Sequence, residues 1–149
     1  MRLFPKSDRK KWNEKIGWDS FALHNKNITN CSKWSVVTTI FPPGKALEIQ
    51  AALKNWCIVI VGDEKGPPPN TFFESSNRIH FLNASIQKQF YEKINPFIKG
   101  LKWNHFGRKN LGYLFAIANG ANEIWDFDDD NMLLNSEAFD NGYGNYIAC

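Results

Sequence analysis

Two short runs of β-branched and apolar residues constrain the fold of this chain most: Trp34-Ser35-Val36-Val37-Thr38-Thr39-Ile40 and Cys57-Ile58-Val59-Ile60-Val61. A strand with one wet face alternates apolar and polar residues, whereas a run that stays apolar has both faces covered. The first run stops at Pro42-Pro43, which cannot continue a central strand, and the second at Gly62-Asp63. Between them, from Gly44 to Asn55, Ala46, Ile49 and Leu53 recur at helical spacing. Strand, helix and strand in this order predict a βαβ unit in a parallel sheet, and so an α/β fold.

The remaining segments extend this pattern. A Gly/Pro-rich loop over residues 64–70 leads to a third strand, Arg78 to Leu82, then to a helix from Ser85 to Lys93 that breaks near Pro96. Phe106-Gly107-Arg108-Lys109-Asn110 feeds a second amphipathic helix, with Leu111, Leu114, Phe115 and Ala118 on one face and Asn119-Gly120 as its stop. Glu123-Ile124-Trp125-Asp126-Phe127 reads as a strand running into Asp128-Asp129-Asp130-Asn131, and the rest, to Cys149, reads as turns. Residues 1–33 are polar, rich in Lys and Asn, and read as a loose leader; residues 34–149 form the domain.

Several function classes fall away. The net charge is only +3, and the basic residues gather at Arg9, Lys10, Lys11 and Lys15 and again at Arg108 and Lys109, without RNA-binding aromatics, zinc-finger spacing or a helix-turn-helix pattern. Nucleic acid is not the expected partner. No apolar run approaches the ~20 residues that span a bilayer, and Met1 to Lys6 lacks the apolar core of a signal peptide. Three Cys make no closed disulfide framework; a bridge from Cys31 is left open, Cys57 reads as buried, and none has metal-ligand spacing with a His. Sequons at Asn27, Asn30 and Asn83 hint weakly at a secretory lumen. Six Trp and twelve Phe call for a dense interior.

The chemistry concentrates in one place. Asp126, Asp128, Asp129 and Asp130 put four carboxylates into five positions directly after an apolar strand. Like charges so close repel, and burial raises the cost. A divalent cation relieves both, and the carboxyl ends of parallel strands are where open α/β sheets bind ligands. Strand alternation puts Asp126, Asp128 and Asp130 on one side. Two carboxylates there suit Mg²⁺ or Mn²⁺ shared with a phosphate. A second reading takes Asp126, Asp128, Asp130 and Glu137 as positions one, three, five and twelve of an EF-hand Ca²⁺ loop, with Asn131 where that loop needs Gly.

Four segments carry a family resemblance: Trp34 to Pro43, Trp56-Cys57-Ile58-Val59-Ile60-Val61-Gly62-Asp63, Gly107-Arg108-Lys109-Asn110-Leu111-Gly112-Tyr113-Leu114, and Asp126 to Asn131. In this order they resemble the STELLO-like glycosyltransferases, over residues 34–131. The resemblance implies a GT-A-like nucleotide-diphospho-sugar transferase fold, a Rossmann-like, mostly parallel sheet flanked by helices, with the acidic run as its DXD motif. It implies Asp128 and Asp130 as ligands of Mn²⁺ or Mg²⁺, and Thr38, Thr39, Asp63, Arg108, Asp126 and Asp129 as nucleotide contacts, with Arg108 on the diphosphate. A nucleoside diphosphate sugar, a UDP-sugar first, would be the donor, and the Golgi or another secretory lumen the location. Gly112 would let its helix approach the sheet. Residues 132–149 are too few for an acceptor half, so the chain reads as the donor-binding half. His105 and Glu137 read as structural, and no catalytic base is assigned. The alternative function is a non-catalytic module, either a degenerate nucleotide binder or the Ca²⁺ loop.

Overall fold

A computed structural model describes residues 31–71 and 76–140 of the chain. The basic group at Arg9 to Lys15, the sequons at Asn27 and Asn30, the leader up to residue 30 and Cys149 lie outside the described residues.

Four strands, β1 (Lys33–Thr38), β2 (Cys57–Val61), β3 (Ile79–Leu82) and β4 (Glu123–Asp126), form one sheet in the order β3-β2-β1-β4. Every pairing is parallel. The helix between β1 and β2 is α1 (Lys45–Ala51). Both apolar runs are therefore strands of a sheet covered on two faces, as continuous burial along β2 requires. The lone correction to β1 is its length: Thr39 and Ile40 lie beyond its end.

Alternation along β2 separates the two cores. Val59 and Val61 join Trp34 and Val36 of β1 against the ten-residue helix that precedes β4, whereas Ile58 and Ile60 join Val37, Leu47 and Phe127 on the opposite face. That ten-residue helix is Lys109–Ala118. A Cβ placed on its Gly112 would come within 2.6 Å of Val36 and 3.0 Å of Val61. Glycine at this position is what lets the helix lie directly on β1 and β2.

The segment after β3 is less regular than its sequence suggests. It starts as α2 (Ala84–Ile86), widens into a π turn (Gln87–Tyr91) and closes as α3 (Glu92–Ile94). The buried Asn83 caps α2 by accepting the Ile86 N–H at 2.9 Å. Asn95 caps a further short helix, α4 (Pro96–Gly100), that the Pro96 break had concealed. A 3₁₀ turn (Phe106–Arg108) then leads into the Lys109–Ala118 helix, hereafter α5, and a last helix, α6 (Ser136–Asp140), follows β4 where only turns are predicted.

Cys31 and Cys57 form a disulfide with Cα atoms 6.0 Å apart. Cys57 is buried as expected, but as half of a bridge rather than a free thiol. The bridge ties the approach to β1 to the first residue of β2. Closing a loop of this length stabilises a fold by about 3–4 kcal/mol on chain entropy alone.

Candidate functional site

The chain steps from β1 to β2 to β3 in one direction, then returns to place β4 on the other side of β1. The reversal leaves a crevice at the carboxyl ends of β1 and β4, the position where open α/β sheets take ligands. The acidic run emerges from β4 into this crevice. Opposite it, Thr39 leaves β1, and the Thr39 hydroxyl donates to Asp129 Oδ2 across the gap while accepting the Phe41 N–H at 3.1 Å.

A cleft opens beside this contact, lined by Thr38, Thr39, Asp63 and Asp129. Four residues named from sequence thus meet in one place, though they come from the ends of three different strands. Sequence reasoning missed several others: the cleft is completed by Ile40, Phe41, Lys65, Asn104 and Phe106, and by His105, which sequence reads as structural. Phe106 is 80% exposed and stacks on His105 with ring centroids 4.3 Å apart. Phe41 and Phe106 are exposed aromatics, but exposure is a property of the fold and Phe97 and Leu134 share it away from the cleft, so no sequence signal marked them.

Asp63 is built in firmly. Its Oδ1 accepts the Glu64 N–H at 2.7 Å and the Asn104 N–H at 2.8 Å, and its backbone pairs with Gly66. The first bond is the local turn expected of an Asp after Gly62. The second, from a residue 41 positions away, fixes one wall of the cleft to the end of β2.

Arg108 is not at the cleft surface. It is 0% exposed, with its guanidinium 3.6 Å from the centre of the Trp103 ring. Its Nε and Nη2 donate to Gln87 Oε1 at 3.1 and 2.8 Å, and its Nη1 donates to the Leu101 carbonyl at 2.9 Å and to Glu92 at 3.4 Å. Gln87 in turn donates to the carbonyls of Gly62 and Leu82 at 2.7 and 2.6 Å. Burial pulls the Arg108 pKa below its ordinary value, and the charges of Glu92 and Asp63 pull the other way. The guanidinium is spent on holding the loop of Leu101 to His105 against the ends of β2 and β3, which is why it does not reach out to a ligand.

The acidic residues divide by partner. Lys109, at the start of α5, meets Asp126 Oδ1 and Asp128 Oδ1 at 2.8 Å each. Tyr113 lies one turn along; burial first, then the influence of the Asp126 and Asp128 carboxylates, holds its phenol well above the ordinary range. Asp130 stands apart, because β4 ends at Asp126 and a turn follows in which the Asn131 N–H bonds the Asp128 carbonyl. Asn131 also accepts the Asp128 N–H and donates to Asp130. Strand alternation therefore groups Asp126 with Asp128 but fails at Asp130.

This geometry bears on a cation. Among the described residues no three His, Cys, Asp or Glu side chains converge to hold an ion by themselves. Asp128 is 71% exposed and Asp130 is exposed too, both at the crevice. Hard oxygen donors presented openly, with no closed cage, fit Mg²⁺ or Mn²⁺ that arrives with phosphate oxygens. The Ca²⁺-loop reading does not survive. The residues entering the run form a strand paired with β1, not the helix such a loop requires. Glu137 lies on α6 beside Leu53 and Lys54, on the approach to β2 rather than in the cleft. His105 lines the cleft, but its Nδ1 accepts the Gly107 N–H at 3.0 Å, a capping role.

No protein-family model matches the chain. Two curated proteins of Arabidopsis thaliana are similar to it. The probable glycosyltransferase STELLO2 is 27% identical over 127 residues, 82% of this chain. The probable glycosyltransferase STELLO1 is 28% identical over 105 residues, 70% of it. The chain spans 16% and 13% of the lengths of those two relatives. The parallel sheet flanked by helices agrees with the GT-A-like fold that the resemblance implies. No helix among the described residues is long and apolar enough to cross a membrane.

Proposed function

We propose that this chain forms the donor side of a glycosyltransferase, taking a nucleoside diphosphate sugar, a UDP-sugar first, in the cleft between β1 and β4. The observation that carries the proposal is the Thr39–Asp129 bond, which joins the acidic run to the end of β1 at the topological reversal of the sheet. Similarity to two glycosyltransferases supports the same reading.

Asp128 and Asp130 would hold Mn²⁺ or Mg²⁺ from one side of the crevice. Such an ion supplies charge neutralisation to a departing diphosphate. Thr38, Thr39, Asp63 and Asp129 line the nucleotide cleft, with Asp63 Oδ1 fixed by two backbone N–H groups and so oriented before any ligand arrives. Lys65, exposed on the cleft wall, offers a cation that the buried Arg108 cannot. Arg108 takes the role of a positioning residue for the loop that carries Asn104. Asp126, held by Lys109, shapes the base of the acidic turn. The Cys31–Cys57 bridge supports work in an oxidising lumen such as the Golgi.

Calorimetric titration of the chain with UDP tests this. Binding is expected in Mn²⁺, with loss in EDTA and in the Asp128→Ala/Asp130→Ala double variant while the circular dichroism is unchanged. UDP bound equally well by the double variant, or without any divalent ion, contradicts the assignment.

A further inference from the structure

Lys109 has an unusual place for a basic residue beside a proposed cation site. Its side chain is 12% exposed. Its ammonium meets Asp126 Oδ1, Asp128 Oδ1 and the Phe127 carbonyl at 2.8, 2.8 and 3.0 Å. Two of its N–H groups donate to the Phe127 carbonyl and Asp128 Oδ1, and its charge pairs with Asp126 Oδ1, so all three partners lie in the acidic segment. Burial lowers its pKa, but the bonds and charges of Asp126 and Asp128 outweigh this and hold it above its ordinary value. Tyr113 stands at i+4 on the same face of α5, close enough to Asp126 for that carboxylate to raise its pKa.

We propose that Lys109 is a tethered cation that sets how tightly this site holds a divalent ion. It withdraws Asp126 from the donor set and holds one oxygen of Asp128. Asp128 Oδ2 and Asp130 are left as the outward-facing donors. A divalent ion approaching alone meets this reduced set and the repulsion of a fixed positive charge. It binds well only when a diphosphate adds oxygens and negative charge of its own. Lys109 therefore couples metal binding to nucleotide binding. The inference rests on the donor reading above, but it concerns Lys109 and is read separately.

Electron paramagnetic resonance of Mn²⁺ titrated into the 149-residue chain, first without nucleotide and then with UDP, tests it. Removing one charge a few ångströms from a divalent ion in a solvent-screened site changes its affinity on the order of tenfold. Lys109→Met, which keeps most of the apolar stem, should bind Mn²⁺ alone on the order of tenfold more tightly than the natural chain, and UDP should then tighten it less. Lys109→Arg, which keeps the charge, should stay near the natural value. Adding Asp126→Asn to Lys109→Met should undo the gain. If Lys109→Met binds Mn²⁺ alone no better than the natural chain, or no better than Lys109→Arg, Lys109 does not act this way. If the gain appears but UDP changes Mn²⁺ binding in no variant, the donor reading and the coupling both fail, and only the control of Mn²⁺ affinity by Lys109 stands. Thermal melts of each variant confirm that the folded chain is being compared.

Discussion

Arg108 and Lys109 are neighbours in the chain, both basic and both at the start of α5, yet they meet opposite surroundings. Arg108 turns inward, stacks on Trp103 and is fully enclosed by Gln87, Glu92 and Leu101. Lys109 turns to an acidic turn whose carboxylates are more than half exposed. A helix start points successive side chains about 100° apart, so adjacent residues reach different surroundings. The inward residue belongs to the framework under the cleft, where low dielectric makes every unmet polar group costly. The other reaches the rim: its own side chain is largely covered, but it meets carboxylates that water screens, so less stability is at stake than at Arg108. The proposed site then sits where stability is least engaged.

Four substitutions or conditions can break this contrast. The largest effect is expected from Arg108→Met, which leaves Glu92, Gln87 and the Leu101 carbonyl without their donor. Removing one partner from a buried ionic network costs about 3–5 kcal/mol, read as a lower urea midpoint. A loss below ~1 kcal/mol, the range of surface pairs, would erase the difference between framework and rim.

Next comes acid. His80 is buried between Trp34 and Phe115. Desolvation lowers its pKa to about 4, against a smaller opposing bond from the Asn77 backbone. The unfolded chain takes up this proton near pH 6.5 and the folded chain does not until about pH 4, so stability is full above 6.5 and falls as pH drops through that window. The slope integrates to about 3 kcal/mol. Urea unfolding at pH 7 and pH 4.5 measures it, and His80→Phe should flatten the dependence.

Gly112→Ala should cost about 1–3 kcal/mol by overpacking, because its methyl would press into the β-branched side chains of Val36 and Val61. A melting temperature equal to that of the natural chain would mean that α5 has room to lift from the sheet. The smallest effect on stability belongs to the rim: Asp128→Asn, at a carboxylate 71% exposed, should change it by no more than about 1 kcal/mol. If Lys109→Met destabilised as much as Arg108→Met, the acidic turn would be part of the framework after all.

The same contrast explains what was legible beforehand. β1, α1 and β2 declare themselves because burial on two faces leaves an unbroken apolar run, a purely local signal. The acidic run is legible for the same reason, since it follows such a strand. Arg108 is not legible, because its surroundings come from Gln87, Glu92, Leu101 and Trp103, and nothing local tells a buried guanidinium from a ligand-binding one. The π turn at Gln87–Tyr91 is hidden likewise, its Gln87 serving carbonyls on two different strands. Alternation foretells the pairing of Asp126 with Asp128 but not the turn that carries Asp130 away, since periodicity ends where the strand does. The Cys31–Cys57 bridge depended on a register between strands that spacing alone does not specify.

On the donor reading, the open carboxylates that follow β4 take a doubly charged ion together with a diphosphate. Anomalous diffraction from a crystal of the chain grown with Mn²⁺ and UDP locates that ion. Manganese bound to Asp128 and Asp130 and to phosphate oxygens, beside Lys109 still paired with Asp126, is the predicted result. Manganese elsewhere on the chain, or UDP seated with no ion at those aspartates, would contradict it.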